Sequence, residues 1–264
     1  MLKMEKVTYI YEDKTVALHN VSIDLSKGKK IGIVGSNGAG KSTLFMNFLG
    51  LLKPTKGKIY YKENELKYDK NTLSDLRKNV GIVFQDPDKQ IFFSNVYDDI
   101  AFALKNLKYS DEDIKKRVEL AMIKTNICDL KNKPVHFLSY GQKKNVSIAG
   151  TIAMDQKLIF FDEPTAGLDY SSRENIKSIL NNLTENENKT IVVSSHDMNF
   201  IYEICDYIYV LNKGCIIADG ETQEIFLKKE ILDEASLEEP FLIKAHKYLG
   251  KPIYKTEREL FNLK

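Results

Sequence analysis

A glycine-rich segment, Gly35-Ser36-Asn37-Gly38-Ala39-Gly40-Lys41-Ser42-Thr43, directly follows an apolar run at residues 30–34. A chain of phosphates needs several backbone N–H groups converging on it, and glycine allows the close approach and positive φ that this requires. A helix beginning at Lys41 would add its positive N-terminus. In this pattern the Lys41 ammonium reaches the β- and γ-phosphates and the Ser42 hydroxyl holds Mg²⁺. Residues 35–43, the phosphate loop, therefore predict a nucleotide-binding site.

A second candidate is the apolar run at residues 158–161, which ends in Asp162-Glu163-Pro164. A buried strand of this kind delivers its last side chains to the carboxyl edge of a sheet, where ligands of open α/β folds bind. We expect Asp162 to meet Mg²⁺ through water. We expect Glu163 to polarise an attacking water as general base. Two solvated acids at a strand end are the plainer interpretation, and the phosphate loop earlier in the chain argues against it.

The third candidate is Leu138-Ser139-Tyr140-Gly141-Gln142, at the start of a predicted helix. Ser139 and Gln142 have the spacing of a capping box, which is a routine helix start. The same start can bind an anion, because the Ser139 hydroxyl and the Gly141 N–H could meet a phosphate. Read alone, the segment favours the cap.

Three single residues complete the candidate set. Gln85 and His196 each end an apolar strand-like run, where a γ-phosphate and its attacking water would lie. Tyr11 precedes the first predicted hairpin and could stack on adenine. Each of the three is unremarkable in isolation, since polar residues at strand ends and exposed aromatics are common.

The candidate residues need strands and helices to position them, and the apolar pattern of the sequence predicts where these elements lie. Strand-like runs occur at residues 7–11, 17–25, 30–34, 58–61, 80–85, 158–161, 190–195, 207–211 and 214–218. Continuous apolar runs such as IGIV and LIFF are typical of strands buried on both faces of a parallel sheet. Helices are predicted at residues 41–52 and 171–183, between strands. The alternation indicates an α/β fold, with a tight hairpin at Asn212-Lys213-Gly214.

One stretch, residues 86–156, carries no convincing strand and reads as helices at 95–107, 110–126 and 139–154. We therefore expect a nucleotide-binding domain over residues 1–220, with an all-helical subdomain at 86–156 inserted in it. A short, charged helical extension is predicted at 221–264.

Composition narrows the function classes. The 264 residues carry 39 basic and 37 acidic side chains, a net charge of +2, and only four of the basic residues are arginine. This balance argues against a nucleic-acid partner, which usually selects arginine. Three scattered cysteines indicate a reducing cytosol. No apolar run approaches the roughly 18 residues of a membrane span.

The ordered motifs resemble those of the ATP-binding-cassette ATPases over about residues 5–220. They are the phosphate loop, Gln85, residues 138–142, Asp162-Glu163, Ala166-Gly167-Leu168-Asp169 and His196. The resemblance implies a P-loop NTPase core with a mixed sheet, ATP and Mg²⁺ as cofactors, and ATP hydrolysis. It also implies a head-to-tail dimer in which each ATP lies between one subunit's phosphate loop and the other subunit's segment 138–142, the signature segment.

The family's roles can be carried onto matching residues. Ser139, Gly141 and Gln142 would contact the ATP bound by the partner, and Asp169 would lie at the dimer interface. Tyr11 resembles the adenine-stacking aromatic. Gln85 would approach Mg²⁺ and the attacking water, and His196 would orient the γ-phosphate. The second subunit could be identical or a paralogue.

A narrower resemblance lies in VFQDPDKQIF and VYDDIAF, within residues 83–102. It is similar to the ATPase subunits of energy-coupling-factor importers and of cobalt or nickel transporters. Such a subunit works at the cytoplasmic face of the cell membrane, as a peripheral protein bound to a transmembrane coupling subunit. Ile91, Phe92 and Phe93 could form an apolar groove that receives this subunit on the helical subdomain, or could be buried within the subdomain itself.

Two residues depart from the family pattern. Tyr140 stands where most members have Gly, and Asn145 replaces a common Arg. Other functions also stay open: a soluble ATP-binding cassette serving DNA repair or translation, or the ATPase of another importer or exporter class. The first usually has coiled-coil arms or two fused cassettes, and this chain shows neither a sustained heptad nor a repeat.

Overall fold

The computed structural model describes residues 2–262. The strands in chain order are β1 Leu2–Ile10, β2 Val16–Asp24, β3 Lys30–Val34, β4 Lys56–Tyr61, β5 Asn64–Glu65, β6 Val80–Val83, β7 Leu158–Asp162, β8 Thr190–Ser194, β9 Tyr207–Asn212 and β10 Cys215–Glu221. The helices are α1 Lys41–Phe48, α2 Lys70–Asn79, α3 Val96–Asn106, α4 Asp111–Lys124, α5 Tyr140–Ala153, α6 Tyr170–Glu185, α7 Met198–Ile204, α8 Thr222–Leu227, α9 Lys229–Ala235, α10 Phe241–Leu249 and α11 Glu257–Leu260. Single 3₁₀ turns occur at Pro87–Lys89, Cys128–Leu130 and Val135–Phe137.

The chain forms two compact units. The first comprises the chain up to Leu76 and from Val192 onward, and the second comprises Arg77–Ile191. Helix α2 and strand β8 contain the two points at which the chain passes from one unit to the other.

The first unit contains an antiparallel sheet with the strand order β2-β1-β4-β5. It also contains β9, which pairs antiparallel with β10 and parallel with β3. This mixture of strand directions agrees with the mixed sheet that the family resemblance implies. Ile31, Ile33 and Val34 of β3 are fully buried, as a continuous apolar run requires. The phosphate loop therefore begins at the end of a strand whose apolar side chains are fully buried.

The hairpin between β9 and β10 has the predicted tight turn. Asn212 pairs with Cys215, so Lys213 and Gly214 form a two-residue connection. Both have positive φ, 44° and 79°, as a two-residue hairpin of the I′ type requires.

In the second unit, β6 and β7 pair in parallel, from Val80 with Leu158 to Val83 with Phe161. Helices α3, α4 and α5 of this unit pack on one another. Asn95 and Ser110 cap α3 and α4 by accepting hydrogen bonds from backbone N–H groups of the first turn. These helices match the helical runs predicted at 95–107, 110–126 and 139–154.

Strand β6, which leads to Gln85, ends earlier than predicted. A strand over residues 80–85 was expected, and β6 ends at Val83. The Gln90 side chain explains this end, because its Oε1 accepts from Phe84 N at 3.0 Å and its Nε2 donates to Ile82 O at 3.2 Å. Gln85 consequently lies two residues beyond the strand.

The domain boundaries at residues 220 and 221 stay a prediction, and Met1 and residues 263–264 lie outside the described part of the chain. No helix within residues 2–262 combines the length and apolar character that a membrane crossing needs.

Candidate functional site

The phosphate loop joins β3 to α1 in the first unit, and two of its glycines are sterically required. A Cβ on Gly35 would lie 2.2 Å from the backbone oxygen of Leu211. Gly40 has φ of 107°, and a Cβ there would lie 2.5 Å from the Ala17 oxygen. The loop is thus pressed against β9 and β2, and only glycine fits these two positions.

Lys41 is the first residue of α1, and its side chain turns back over the loop. Its Nζ donates to the Gly35 oxygen at 2.7 Å and to the Ser36 oxygen at 3.1 Å. The lysine is buried, whereas Ser42 beside it is exposed. No acidic residue lies in the first turn of α1. A buried cation at a helix N-terminus fits the charge of a phosphate chain.

Tyr11 lies next to the phosphate loop. Its hydroxyl is 2.9 Å from Oγ1 of Thr43, the last residue of the loop, and its ring is half-exposed. The Tyr9 ring meets it edge-on at a centroid distance of 5.0 Å. This fixed, partly exposed aromatic beside the loop has the form of a stacking platform for a base.

His196 follows β8, also in the first unit, and is exposed. The next residue, Asp197, caps α7 by accepting from Phe200 N at 3.0 Å, and its own N–H donates to Ser195 Oγ at 3.1 Å. These bonds fix the backbone on the C-terminal side of His196.

In the second unit, β7 ends at Asp162, and Asp162 and Glu163 are both buried, at 8% and 6% exposure. Glu163 has φ of 45°, in the left-handed region that is costly for a residue with a side chain. Two adjacent buried carboxylates, one on a strained backbone, are typical of a site under functional constraint.

Lys144 of α5 is a buried residue of the candidate site that the sequence pattern did not single out. It is fully buried, and its Nζ donates to the oxygens of Phe84 and Gln85, both at 2.8 Å. Burial lowers the pKa of its ammonium to about 8, against the opposing effect of the carboxylates of Asp162, Asp86 and Glu163. The available signal was its position on the buried face of α5, four residues before Ile148.

Gln85 is exposed, and its carbonyl is held by α5. Besides the Lys144 bond, the Gln85 oxygen accepts from the Tyr140 hydroxyl at 3.0 Å. The second unit therefore brings Gln85 together with the start of the signature segment.

The signature segment opens α5 with a complete capping box. Ser139 Oγ accepts from Gln142 N at 3.3 Å, and Gln142 Oε1 accepts from Ser139 N at 3.0 Å. Ser139 is exposed and Gly141 is half-buried; a Cβ on Gly141 would lie 3.1 Å from Ser172 Oγ. The predicted cap is confirmed, and the anion-binding role of this segment stays a prediction.

Asp169 and Asn145 have structural partners. Asp169 caps α6 by accepting from Ser172 N at 2.8 Å, and this bond lowers the pKa of its carboxyl. Asn145 Oδ1 accepts from Asn175 Nδ2 at 3.4 Å, so a neutral amide pair stands where the family commonly has an Arg.

Comparison with known proteins identifies the family. The family model for the ABC transporter matches residues 18–166. The chain is 41% identical over 262 residues to a cobalt import ATP-binding protein of Salmonella paratyphi A, covering 99% of this chain and 96% of that one. It is 41% identical over 240 residues to an energy-coupling factor transporter ATP-binding protein of Clostridium perfringens, covering 91% and 84%.

Similar solved structures indicate the same family. A subunit of an ABC transporter complex from Clostridium perfringens has a TM-score of 0.80 at 38% identity, covering 94% of this chain and 95% of that one. A dimeric ATP-binding cassette bound to ADP and phosphate has a TM-score of 0.77 at 30% identity, covering 84% and 99%. The chain therefore belongs to the ABC transporter family, as one of its ATP-binding, ATP-hydrolysing subunits.

Proposed function

We propose that this chain is the ATPase subunit of an energy-coupling-factor importer for vitamins or for transition-metal ions such as cobalt or nickel. The observation that carries the proposal is the likeness, over nearly the whole chain, to a cobalt import ATP-binding protein. The likeness to an energy-coupling factor ATP-binding protein supports the same class. In this class the ATPase works at the cytoplasmic face of the membrane as a peripheral subunit, with no nucleic-acid partner.

The phosphate loop, residues 35–43, holds the phosphates of ATP in this proposal. The backbone N–H groups of the loop and of the first turn of α1 donate to phosphate oxygens, and the Lys41 ammonium lies on the β- and γ-phosphates. The contacts of Lys41 with Gly35 and Ser36 support this, because they keep the ammonium at the loop. Tyr11 stacks on adenine, and His196 orients the γ-phosphate.

The oxygen atoms of Ser42, Gln85 and Asp162 are the proposed protein ligands of Mg²⁺, with Asp162 acting through water. No group of three or more His, Cys, Asp or Glu within residues 2–262 could hold a metal by itself. The set of Ser42, Gln85 and Asp162 oxygens fits Mg²⁺, which is usually bound by one or two carboxylates together with substrate phosphates and waters. When bound, Mg²⁺ neutralises charge on the phosphates.

Glu163 is the proposed general base, which takes a proton from the water that attacks the γ-phosphorus. Its burial and its fixed position after β7 support the role, because a positioned carboxylate does not need to reorganise during the reaction. The Gln85 side chain orients the same water.

Hydrolysis belongs to a dimer in this proposal. Ser139, Gly141 and Gln142 contact the ATP on the phosphate loop of a second ATPase subunit, identical or paralogous, and Asp169 lies at the interface. A capped helix start with an exposed Ser139 supports the contact.

The transmembrane coupling subunit docks on the helical subdomain, residues 86–156, at Ile91, Phe92 and Phe93. Phe92 is 74% exposed, and Phe93 is 42% exposed. Both rings lie against Phe102, at centroid distances of 6.2 and 5.1 Å. Asp99 accepts from the backbone N–H groups of Phe92 and Phe93 at 2.8 and 3.0 Å, so the apolar patch is held in place before any partner binds.

Replacement Glu163→Gln tests the function. We expect the variant to bind ATP with parental affinity and to hydrolyse it about 10²- to 10⁴-fold more slowly, because the amide cannot accept the proton. The measurements are kcat for phosphate release and an ATP titration. Glu230→Gln on the exposed face of α9 is the matched control and is expected to leave both values unchanged. Parental hydrolysis by Glu163→Gln would refute the base assignment.

A further inference from the structure

We infer that Tyr140 is a positioning residue for ATP hydrolysis, which ties the start of the signature segment to the main chain at Gln85 and to Gly167. The inference rests on the proposed function, because it assigns a role to a residue that acts through Gln85. Tyr140 is the residue at which this chain departs from the Gly common in the family, so the contacts below depend on a side chain that a glycine would lack.

The first contact is the bond to Gln85. The Tyr140 hydroxyl donates to the Gln85 carbonyl oxygen at 3.0 Å, across 55 residues of sequence. Gln85 lies past the end of β6, so its carbonyl has no strand partner to fix it. The hydroxyl therefore supplies a constraint that the sheet does not.

The second contact is with Gly167. A Cβ on Gly167 would lie 3.5 Å from Cε1 of Tyr140, so the aromatic ring covers this glycine. Gly167 has φ of 73° and lies in the short segment between Glu163 and the Asp169 cap of α6. One side chain thus contacts the two segments that lead from β6 and from β7.

Lys144 completes the arrangement from the same face of α5. Residues four apart lie on one side of a helix, and the Lys144 ammonium donates to the same Gln85 oxygen at 2.8 Å. Lys144 is fully buried, whereas Tyr140 is 39% exposed. The buried lysine anchors the Gln85 segment to the helix, and the exposed tyrosine ties it to the first turn, where Ser139 and Gly141 lie.

The consequence for the reaction concerns geometry. A Gln85 backbone that is fixed to the start of α5 couples two nucleotides in the dimer. When the signature segment closes on the partner's ATP, it places the Gln85 side chain at one distance from the γ-phosphate on its own subunit's phosphate loop. Loosening this bond should lower the fraction of closed dimers with a correctly placed Gln85, and leave ATP binding to the phosphate loop intact.

The test is Tyr140→Phe, which removes the hydroxyl and keeps the ring on Gly167. In the complete transporter complex we expect kcat for ATP hydrolysis to fall about three- to tenfold, as loss of one hydrogen bond predicts, with KM for ATP and the melting temperature unchanged. Tyr140→Gly removes both contacts and should lower kcat further. Tyr248→Phe on α10, an exposed tyrosine, is the matched control and should hydrolyse at the parental rate.

A structural measurement accompanies the kinetics. Hydrogen exchange in the peptide that covers residues 84–88 should be faster in Tyr140→Phe than in the parent, because the Gln85 segment has lost one of its two ties. Parental kcat, or parental exchange in this peptide, would overturn the inference, as would a rise in KM for ATP without a change in kcat. Glu163→Gln measured in the same complex separates the two ideas, since its parental hydrolysis would refute the base assignment of the proposed function whatever Tyr140→Phe does.

Discussion

At the residue scale, Lys41 has two kinds of contact. Its side chain bonds to the phosphate loop, and it is proposed to bind the phosphates of ATP. Its ammonium is buried and has two carbonyl partners in the loop, at 2.7 and 3.1 Å. A buried ammonium at the phosphate loop gains from an anion that binds there. The positive charge of the loop is thereby concentrated on one side chain.

Lys41→Ala should weaken ATP binding about 10- to 150-fold, the range expected for loss of a hydrogen bond to a charged group. The measurement is an ATP titration, with the melting temperature recorded to separate affinity from folding. Lys229→Ala, an exposed residue of α9, is the control and should bind ATP as the parent does. Unchanged affinity in Lys41→Ala would show that the ammonium does not contact the nucleotide.

Some residues of the site could be predicted from the sequence, and Lys144 could not. The phosphate loop can be recognised in the sequence because glycine, lysine and serine occur at fixed spacing after an apolar strand. Lys144 carries no such signature, since lysine in a helix is ordinarily exposed. Its burial depends on the carbonyls of Phe84 and Gln85, about 60 residues away, and a contact of that range is set by tertiary packing.

At the element scale, the strand–loop–helix segment formed by β3, the phosphate loop and α1 could be predicted from sequence patterns within the segment itself. The predicted strand at 30–34 is β3 itself, and α1 begins at Lys41 as expected. The helix ends at Phe48 rather than at residue 52, because the chain reverses at Gly50, where φ is 65°. Helix α7 has only seven residues, too few for a helical period to stand out, and it was not predicted.

Gly35→Ala tests how tightly this unit is packed. The added Cβ would meet the Leu211 oxygen at 2.2 Å, so β9 or the loop must move, which should cost about 1–3 kcal/mol of unfolding free energy and weaken ATP binding. Denaturant unfolding and an ATP titration measure the two effects.

The control for this prediction is Gly28→Ala, just before β3. The same added methyl there finds only an ordinary contact, 3.4 Å from Tyr207 Cβ. We expect little change in either measurement. A parental stability for Gly35→Ala would mean that the loop is free to shift away from β9.

At the scale of the whole molecule, the proposed docking patch is the apolar group Ile91, Phe92 and Phe93, and the proposed function assigns it the contact with the membrane partner. Phe92 and Phe93 are pinned through Asp99, and burial raises the pKa of the Asp99 carboxyl. A fixed, exposed aromatic pair contributes apolar area to an interface without a large ordering cost.

Phe92→Asp should reduce recovery of the transmembrane coupling subunit at least about tenfold, because a charge at the docking patch would be buried without a partner. Co-purification from membranes with quantified partner recovery is the measurement. Phe137→Asp is the matched control, since Phe137 is also 74% exposed, and it should retain the partner. Equal recovery with both variants would move the docking surface elsewhere.

The sequence predicts the elements of the molecule better than the contacts between them. Helix caps such as Asn95 and Ser110 and continuous apolar strands act over a few residues and can be recognised without a structure. The approach of Gly35 to Leu211, or of Tyr140 to Gln85, joins residues far apart in sequence, and no local pattern encodes it. The choice of solute is beyond the sequence for a different reason, because an ATPase of this class does not contact the cargo.

Glu163 lies in a left-handed backbone conformation, which glycine or asparagine would adopt at lower cost. Random substitution under selection for stability alone would therefore tend to remove the glutamate. A descendant of this protein that still bound ATP but no longer needed to turn it over should lose this residue early. On the proposed role of Glu163 as general base, selection for turnover is what keeps it in this strained position, and gene copies released from transport are where that can be tested.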